Sequence, residues 1–254
     1  MLNFIDHSGP DNGPPLLIVH GLYGSARNWG LISKRISSSR RVIAVDLRNH
    51  GDSPWNDSHT YSDMAADLAE VIDHFGAPFD VMGHSMGGKA AMLLALNYPH
   101  LVNRLCIADI APVIYNHDQS QFIKAMRSVD LSTIRARSDV KSQLSQHIEN
   151  EDLQNFFVQS VDVKNQCWKL NLRVLDREMS KILGFPNVDT NFKELTLFLA
   201  GARSDYVKAE MRSHICSLFP AAKFAKIPRA GHLIHAERPR EFEAALRVFF
   251  GYDA

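Results

Sequence analysis

The sequence predicts an α/β fold with a mostly parallel central sheet flanked by helices and interrupted by one helical insertion. Three observations predict it. Short apolar runs alternate with amphipathic stretches of helical period. Most of those runs are apolar almost throughout, as strands buried on both faces must be. The alternation lapses between about residues 112 and 185 and then resumes. A chain of 254 residues suits one such unit and can bury about 70–75% of its extended surface.

Taken in order, residues 16–20 (LLIVH), 42–46 (VIAVD), 79–83 (FDVMG), 104–109 (RLCIAD), 195–200 (LTLFLA) and 223–228 (KFAKIP) each fit a short strand. Between the second and third, YSDMAADLAEVIDHFG places Met64, Leu68, Val71, Ile72 and Phe75 on one helical face. Ser62 is the expected N-cap of this crossover helix and Gly76 its stop. After Pro112, QSQFIKAMRSV and EDLQNFFVQSV are amphipathic and too apolar for disorder. The expected division is a core of residues 1–111 and 186–254 with a helical cap of residues 112–185. An insertion at that point hangs over the carboxyl ends of the strands, where open parallel sheets bind ligands.

The 28 basic residues match the 28 acidic ones, so no global field recruits nucleic acid, an anionic membrane or a polyanionic substrate. Cys106, Cys167 and Cys216 are odd in number and far apart, which argues against a disulfide framework and reads as three buried thiols in a reducing compartment. The start MLNFIDHSGPDNGPP lacks a basic segment followed by an apolar run, and no stretch reaches the ~20 apolar residues that span a bilayer. A cytoplasmic protein is expected. No feature specifies an oligomeric state.

The chemistry concentrates in DVMGHSMGGKAAMLLALNYP. Gly83-His84-Ser85-Met86-Gly87 fits the G-x-S-x-G elbow, a strained strand-to-helix turn that lifts a serine hydroxyl above the sheet. The same residues, through Lys89, also begin a phosphate-binding G-x-x-x-x-G-K loop. Ala90 excludes that reading, because the loop needs Ser or Thr there to ligate magnesium. Acyl transfer needs donors where negative charge develops, and the Met86 N–H at the start of a helix supplies one. The turn VHGLYGS after the first run offers the second, the Leu22 N–H. Beside it, Tyr23 and Trp29 are candidates to line an acyl pocket.

A serine nucleophile needs a base, and His232 in PRAGHLIHAERP sits on a glycine-preceded loop after the last strand. His235 is expected to be structural, because His-x-x-His without further ligands makes no metal site. His50 and His84 lack neighbours for base duty. In DLRNHGDS, Asp46 and Arg48 are expected to pair and tie a loop near the site; Arg48 is also a candidate for a substrate carboxylate. On spacing, the acid that orients the base is either Asp109, at a strand end beside the nucleophile's strand, or Asp205. The latter falls one residue beyond the usual offset, which in an extended segment turns a side chain to the other face.

The pieces VHGLYGS, DLRNHGDSP, GHSMGGKA, ADIAPV, GARSDYV and AGHLIHAE together resemble the α/β-hydrolase superfamily, and within it the YbfF-type acyl esterases. The resemblance covers most of the chain and is weakest in the insertion. It implies the α/β-hydrolase fold, Asp109 as the acid and Ser204 as an accessory polar group near the histidine. The expected activity is a cofactor-free and metal-free serine hydrolysis of small acyl esters or thioesters. Alternatives on the same frame are a carbon–carbon bond hydrolase, a small-acid lyase or a non-catalytic binding module. Dehalogenases and epoxide hydrolases are disfavoured because serine, not aspartate, occupies the elbow.

Overall fold

The computed structural model describes residues 1–76, 78–117 and 119–252. Its strands are β1 (Phe4–His7), β2 (Leu16–Val19), β3 (Val42–Val45), β4 (Phe79–His84), β5 (Val102–Ala108), β6 (Val161–Asp162), β7 (Cys167–Trp168), β8 (Thr196–Gly201) and β9 (Ala222–Ile227). Seven of them form one sheet in the order β1-β3-β2-β4-β5-β8-β9. β1 runs antiparallel to β3, and the other pairings in this sheet are parallel.

Helices α1 (Gly30–Ile36), α2 (Tyr61–Phe75) and α3 (Met86–Asn97) alternate with the first strands. Between β5 and β8 come α4 (Ser120–Arg127), α5 (Arg137–Leu144), α6 (Glu151–Phe157), α7 (Leu172–Arg177) and α8 (Met179–Leu183). The short hairpin β6–β7 lies among them, a feature the sequence reading missed because each arm has only two residues. Helices α9 (Arg212–Leu218), α10 (Ile234–Glu237) and α11 (Pro239–Phe250) complete the fold. No helix among the described residues is long and apolar enough to cross a membrane.

Strand periodicity divides the core. Leu17, Val19, Val81, Leu105, Ile107 and Phe198 point into one apolar cluster with α2 and α3. Their neighbours Leu16, Ile18, Met82, Cys106, Ala108 and Leu199 point into the other, with α1 and α11. Successive side chains alternate between faces, so both faces bury and the strands read as unbroken apolar runs.

Three expectations need correction. β1 escaped the sequence reading because it is a half-exposed edge strand with no apolar run. Helix α2 is capped by Thr60, not Ser62: the Thr60 hydroxyl accepts the Asp63 N–H at 3.2 Å, and Ser62 lies inside the first turn. Cys106 is buried, whereas Cys167 and Cys216 are exposed, since both lie on the outer sides of short elements rather than in the sheet.

The loop after β3 is built around buried polar groups that fix the turn after β2. Asp46 accepts the Ala26 N–H at 2.7 Å and the Asp52 N–H at 2.9 Å. Arg48 does not pair with Asp46. Its guanidinium clasps Asp67 of α2 through Nε (2.6 Å) and Nη2 (2.8 Å), which also occupies it against any substrate carboxylate. His20 Nε2 accepts the Leu47 N–H at 2.9 Å, and its Nδ1–H donates to the Gly21 carbonyl at 2.7 Å. His50 Nε2 accepts the Tyr23 N–H at 3.1 Å, and its Nδ1–H donates to the Arg48 carbonyl at 3.0 Å. A backbone N–H can only donate, so each ring is neutral in one tautomer.

Burial lowers the pKa of His20 against the pull of Asp46, and lowers that of His50 well below its ordinary value. Burial also brings His59, beside them, down to about 3. In the unfolded chain each of these rings takes a proton near pH 6.5, whereas in the fold each stays neutral to lower pH. The unfolded state therefore binds more protons in acid, and stability falls as the pH drops through about 6.5. Urea unfolding should show lower stability at pH 5.0 than at pH 7.5, with His59 alone contributing about 2 kcal/mol of the difference. Equal stability at the two values would contradict this packing.

Candidate active site

β4 ends at His84, and Ser85 caps α3 with φ 52° and ψ −124°, a left-handed conformation that a residue with a Cβ adopts only under constraint. The constraint comes from both sides. The Ser85 N–H donates to the Ala108 carbonyl at 3.0 Å, and the Ser85 carbonyl accepts the Lys89 N–H at 3.1 Å. Glycine is required two residues either side: a Cβ at Gly83 would strike the Gly87 carbonyl, and one at Gly87 would strike that of His20. The elbow is thus pressed against the turn after β2, and a Cβ at Gly21 would lie 3.1 Å from Ser85 Cβ.

Ser85 Oγ is 3.0 Å from His232 Nε2, and His232 Nδ1 is 2.7 Å from Asp109 Oδ2. Asp109, at the end of β5, is fully buried and has φ 52°. Its carboxylate also accepts the Gly201 N–H at 2.9 Å and the Ser204 hydroxyl at 2.5 Å. Ser204 therefore touches the acid rather than the imidazole. Asp205, the other candidate acid, is exposed and stands outside this line of contacts. Ser204 turns inward toward Asp109, and its neighbour Asp205 turns out, as a one-residue step along an extended segment directs.

The loop carrying His232 is held at three points. The Gly231 N–H donates to Glu237 at 2.9 Å, and His84 Nε2–H donates to the His232 carbonyl at 2.9 Å. The ring of Tyr206 stacks on the imidazole, with centroids 3.9 Å apart and planes at 20°. Sequence reasoning missed Tyr206 and the support from His84, because neither stacking nor a side chain's reach across 148 positions leaves a periodic signal. Burial, followed by the nearby His232 and His235, keeps the His84 pKa well below its ordinary value. His235 is brought down to about 3 by burial and stacks on Trp29 at 4.1 Å. Among the described residues no group of His, Cys, Asp or Glu is arranged to hold a metal.

A cavity of about 250 Å³ opens over Ser85. Leu22, Tyr23, Trp29 and Met86 lie on its wall beside Ser85 and His232, and Phe122, Phe156 and Phe157 from the segment after β5 face them. Lys89, the residue that mimics a phosphate loop, is 1% exposed. Its ammonium donates to the carbonyls of Val113 (2.8 Å), Leu183 (2.9 Å) and Gly184 (2.6 Å), on the two connections between the sheet and the inserted helices. Burial draws its pKa down to about 7, while three carbonyls saturate the donors of the charged form.

Known proteins resemble this chain over nearly its whole length. The sn-1-specific diacylglycerol lipase ABHD11 of Mus musculus is 37% identical over 247 residues, covering 93% of this chain and 80% of its own. Esterase YbfF of Escherichia coli (strain K12) is 34% identical over 248 residues, covering 95% of this chain and 93% of its own. The solved structure of a marine microorganism esterase superposes with a TM-score of 0.91 at 36% identity and covers 98% of each chain. A family model described as alpha/beta hydrolase family matches residues 16–245, and the chain belongs to that family, among its YbfF-type esterases.

Proposed function

We propose that the protein is a serine carboxylic ester hydrolase in which Ser85, His232 and Asp109 form the catalytic triad. The observation that carries the reading is the unbroken line from Ser85 Oγ through His232 (3.0 Å) to Asp109 (2.7 Å), open to a cavity on the hydroxyl side. Relatives named as an esterase and a lipase support it.

The steps follow from the geometry. Ser85 Oγ attacks the acyl carbonyl carbon as His232 Nε2 takes its proton, and the carbonyl π pair moves to oxygen. The Leu22 and Met86 N–H groups receive that oxyanion, helped by the N-terminal dipole of α3. When the oxyanion collapses, the bond to the leaving oxygen or sulfur breaks, and His232 returns the proton to it. Water then gives a proton to His232 and attacks the acyl-serine carbonyl; as that oxyanion collapses, the bond to Ser85 Oγ breaks, His232 returns the proton to Oγ and the acid leaves. Asp109 keeps Nδ1 protonated and stabilises the imidazolium, and Ser204 fixes the carboxylate's orientation. No step needs a metal or cofactor.

Residues 112–185 act as a cap whose phenylalanines give the acyl pocket its apolar wall. At about 250 Å³, below the range usual for drug-sized ligands, the pocket suits a small acyl group of an ester or thioester. Exposed unpaired thiols at Cys167 and Cys216 support a reducing, cytoplasmic setting.

An aryl phosphonate should label wild-type protein at Ser85 and no other residue, as read by peptide mass spectrometry. Ser85→Ala should reduce ester turnover to the residue left by binding and the oxyanion hole. Asp109→Asn should lower kcat by about 10²–10⁴, whereas Asp205→Asn should keep most activity. The reverse pattern would transfer the acid's role to Asp205. Across aryl esters and acyl-CoAs of graded length, kcat/KM should peak at short acyl chains, and a maximum at long chains would refute the size argument.

A further inference from the structure

Tyr23, the residue after the proposed oxyanion donor Leu22, is gripped chiefly by the inserted segment. It has φ 65°, which a residue with a Cβ adopts only when held. Its N–H goes to His50 at 3.1 Å, but its other tethers come from beyond β5. The Tyr23 carbonyl accepts the Ser160 hydroxyl at 2.8 Å, its own hydroxyl donates to the Gln119 carbonyl at 3.1 Å, and its ring meets Phe157 edge-on at 5.5 Å. Ser160 itself is 4% exposed, and its carbonyl is fixed by the Lys169 N–H at 2.8 Å across the base of the β6–β7 hairpin.

Peptide planarity turns this grip into a constraint on the oxyanion hole. The Tyr23 carbonyl and the Gly24 N–H belong to one rigid plane, so fixing the first aims the second. That N–H donates to the Gly21 carbonyl at 3.0 Å, which also accepts from His20 Nδ1 at 2.7 Å. The Gly21 carbonyl in turn shares its plane with the Leu22 N–H. The Ser160 hydroxyl is therefore connected to the oxyanion donor through two hydrogen bonds and two peptide planes.

We propose that Ser160 is a positioning residue of the oxyanion hole: docking of the inserted helices aims the Leu22 N–H, so the segment that covers the substrate also completes the charge-stabilising site. The inference rests on the reading of Leu22 as an oxyanion donor. Ser160 does not touch substrate, and its effect falls on the transition state rather than on binding of the ester.

The test compares Ser160→Ala with wild type in kcat, KM and two inhibitor affinities. The first inhibitor is an aryl trifluoromethyl ketone, to which Ser85 Oγ adds while its proton passes to His232, leaving an oxyanion. The second is the matching secondary alcohol, which forms none. Loss of a whole donor costs about 10²–10³ in kcat, so misaiming one should cost about 10-fold to 100-fold. The expected result is that fall in kcat, an equal fall in ketone affinity, and KM and alcohol affinity within about 2-fold of wild type. Ser160→Thr, which keeps the hydroxyl, should restore most of the loss. If the alanine variant does not fold, Ser160→Cys provides the same comparison with a poor donor. Wild-type kcat and ketone affinity in the variant would overturn the inference and leave the triad intact. An equal loss for ketone and alcohol would also overturn it, by showing a pocket defect instead. Absence of Ser85 labelling in wild type would overturn the triad and this inference together.

Discussion

The structure depends on the buried carboxylate of Asp109, which His232 meets at 2.7 Å. Asp109 is fully enclosed, and a charge removed from water in this way is tolerated only if donors replace its hydration. Three do so, from Gly201, Ser204 and His232. These donors come from the last residue of β8, the turn after it and the loop after β9, so one side chain at the end of β5 gathers the carboxyl edges of three neighbouring strands. The twisted sheet supplies the proximity, and the carboxylate turns it into a fixed arrangement. Its left-handed backbone is the local strain that this gathering sustains.

A second arrangement stands on the opposite side of the serine. The elbow and the turn after β2 approach until only glycine fits at positions 83 and 87, and a Cβ at position 21 would be tightly packed. Neutral histidines at 20 and 50 then pin that turn from behind, and the inserted helices pin it from above through Tyr23. Lys89 ties both connections of the insertion to the nucleophile's own helix. The segment between β5 and β8 is therefore joined by polar contacts to α3 and to the turn after β2, the elements that flank Ser85.

How much of this the sequence revealed follows from what each feature requires. The inner strands were legible because a strand buried on both faces is apolar almost throughout; of the two partly exposed edge strands, β9 left a short run to read and β1 left none. The elbow was legible because backbone crowding dictates glycine two residues either side of Ser85, and the turn after β2 and the loop of His232 because glycine follows a strand-like run in each. The choice between Asp109 and Asp205 was weighted by the offset from Gly201 but needed coordinates, since a turn can restore or reverse a side chain's direction. The N-cap of α2 went to the wrong residue because Ser62 and Thr60 are equally good acceptors in isolation, and the partner Asp63 favours Thr60. The apparent pairing of Asp46 with Arg48 dissolved because each found a better partner on a different element. Tyr206 and Ser160 were invisible, since long-range stacking and a single hydroxyl leave no pattern to read.

The central claim is that one hydrogen bond, from His232 Nδ1 to the enclosed Asp109 carboxylate, holds the site together. Proton NMR tests it most directly, because an imidazole proton held in such a bond and protected from solvent exchange is deshielded and resonates far downfield of the amide envelope. The account predicts one such resonance in wild type and in Ser85→Ala, absent from Asp109→Asn and His232→Gln, and unchanged by Asp205→Asn. A resonance that survives Asp109→Asn and vanishes with Asp205→Asn would contradict it.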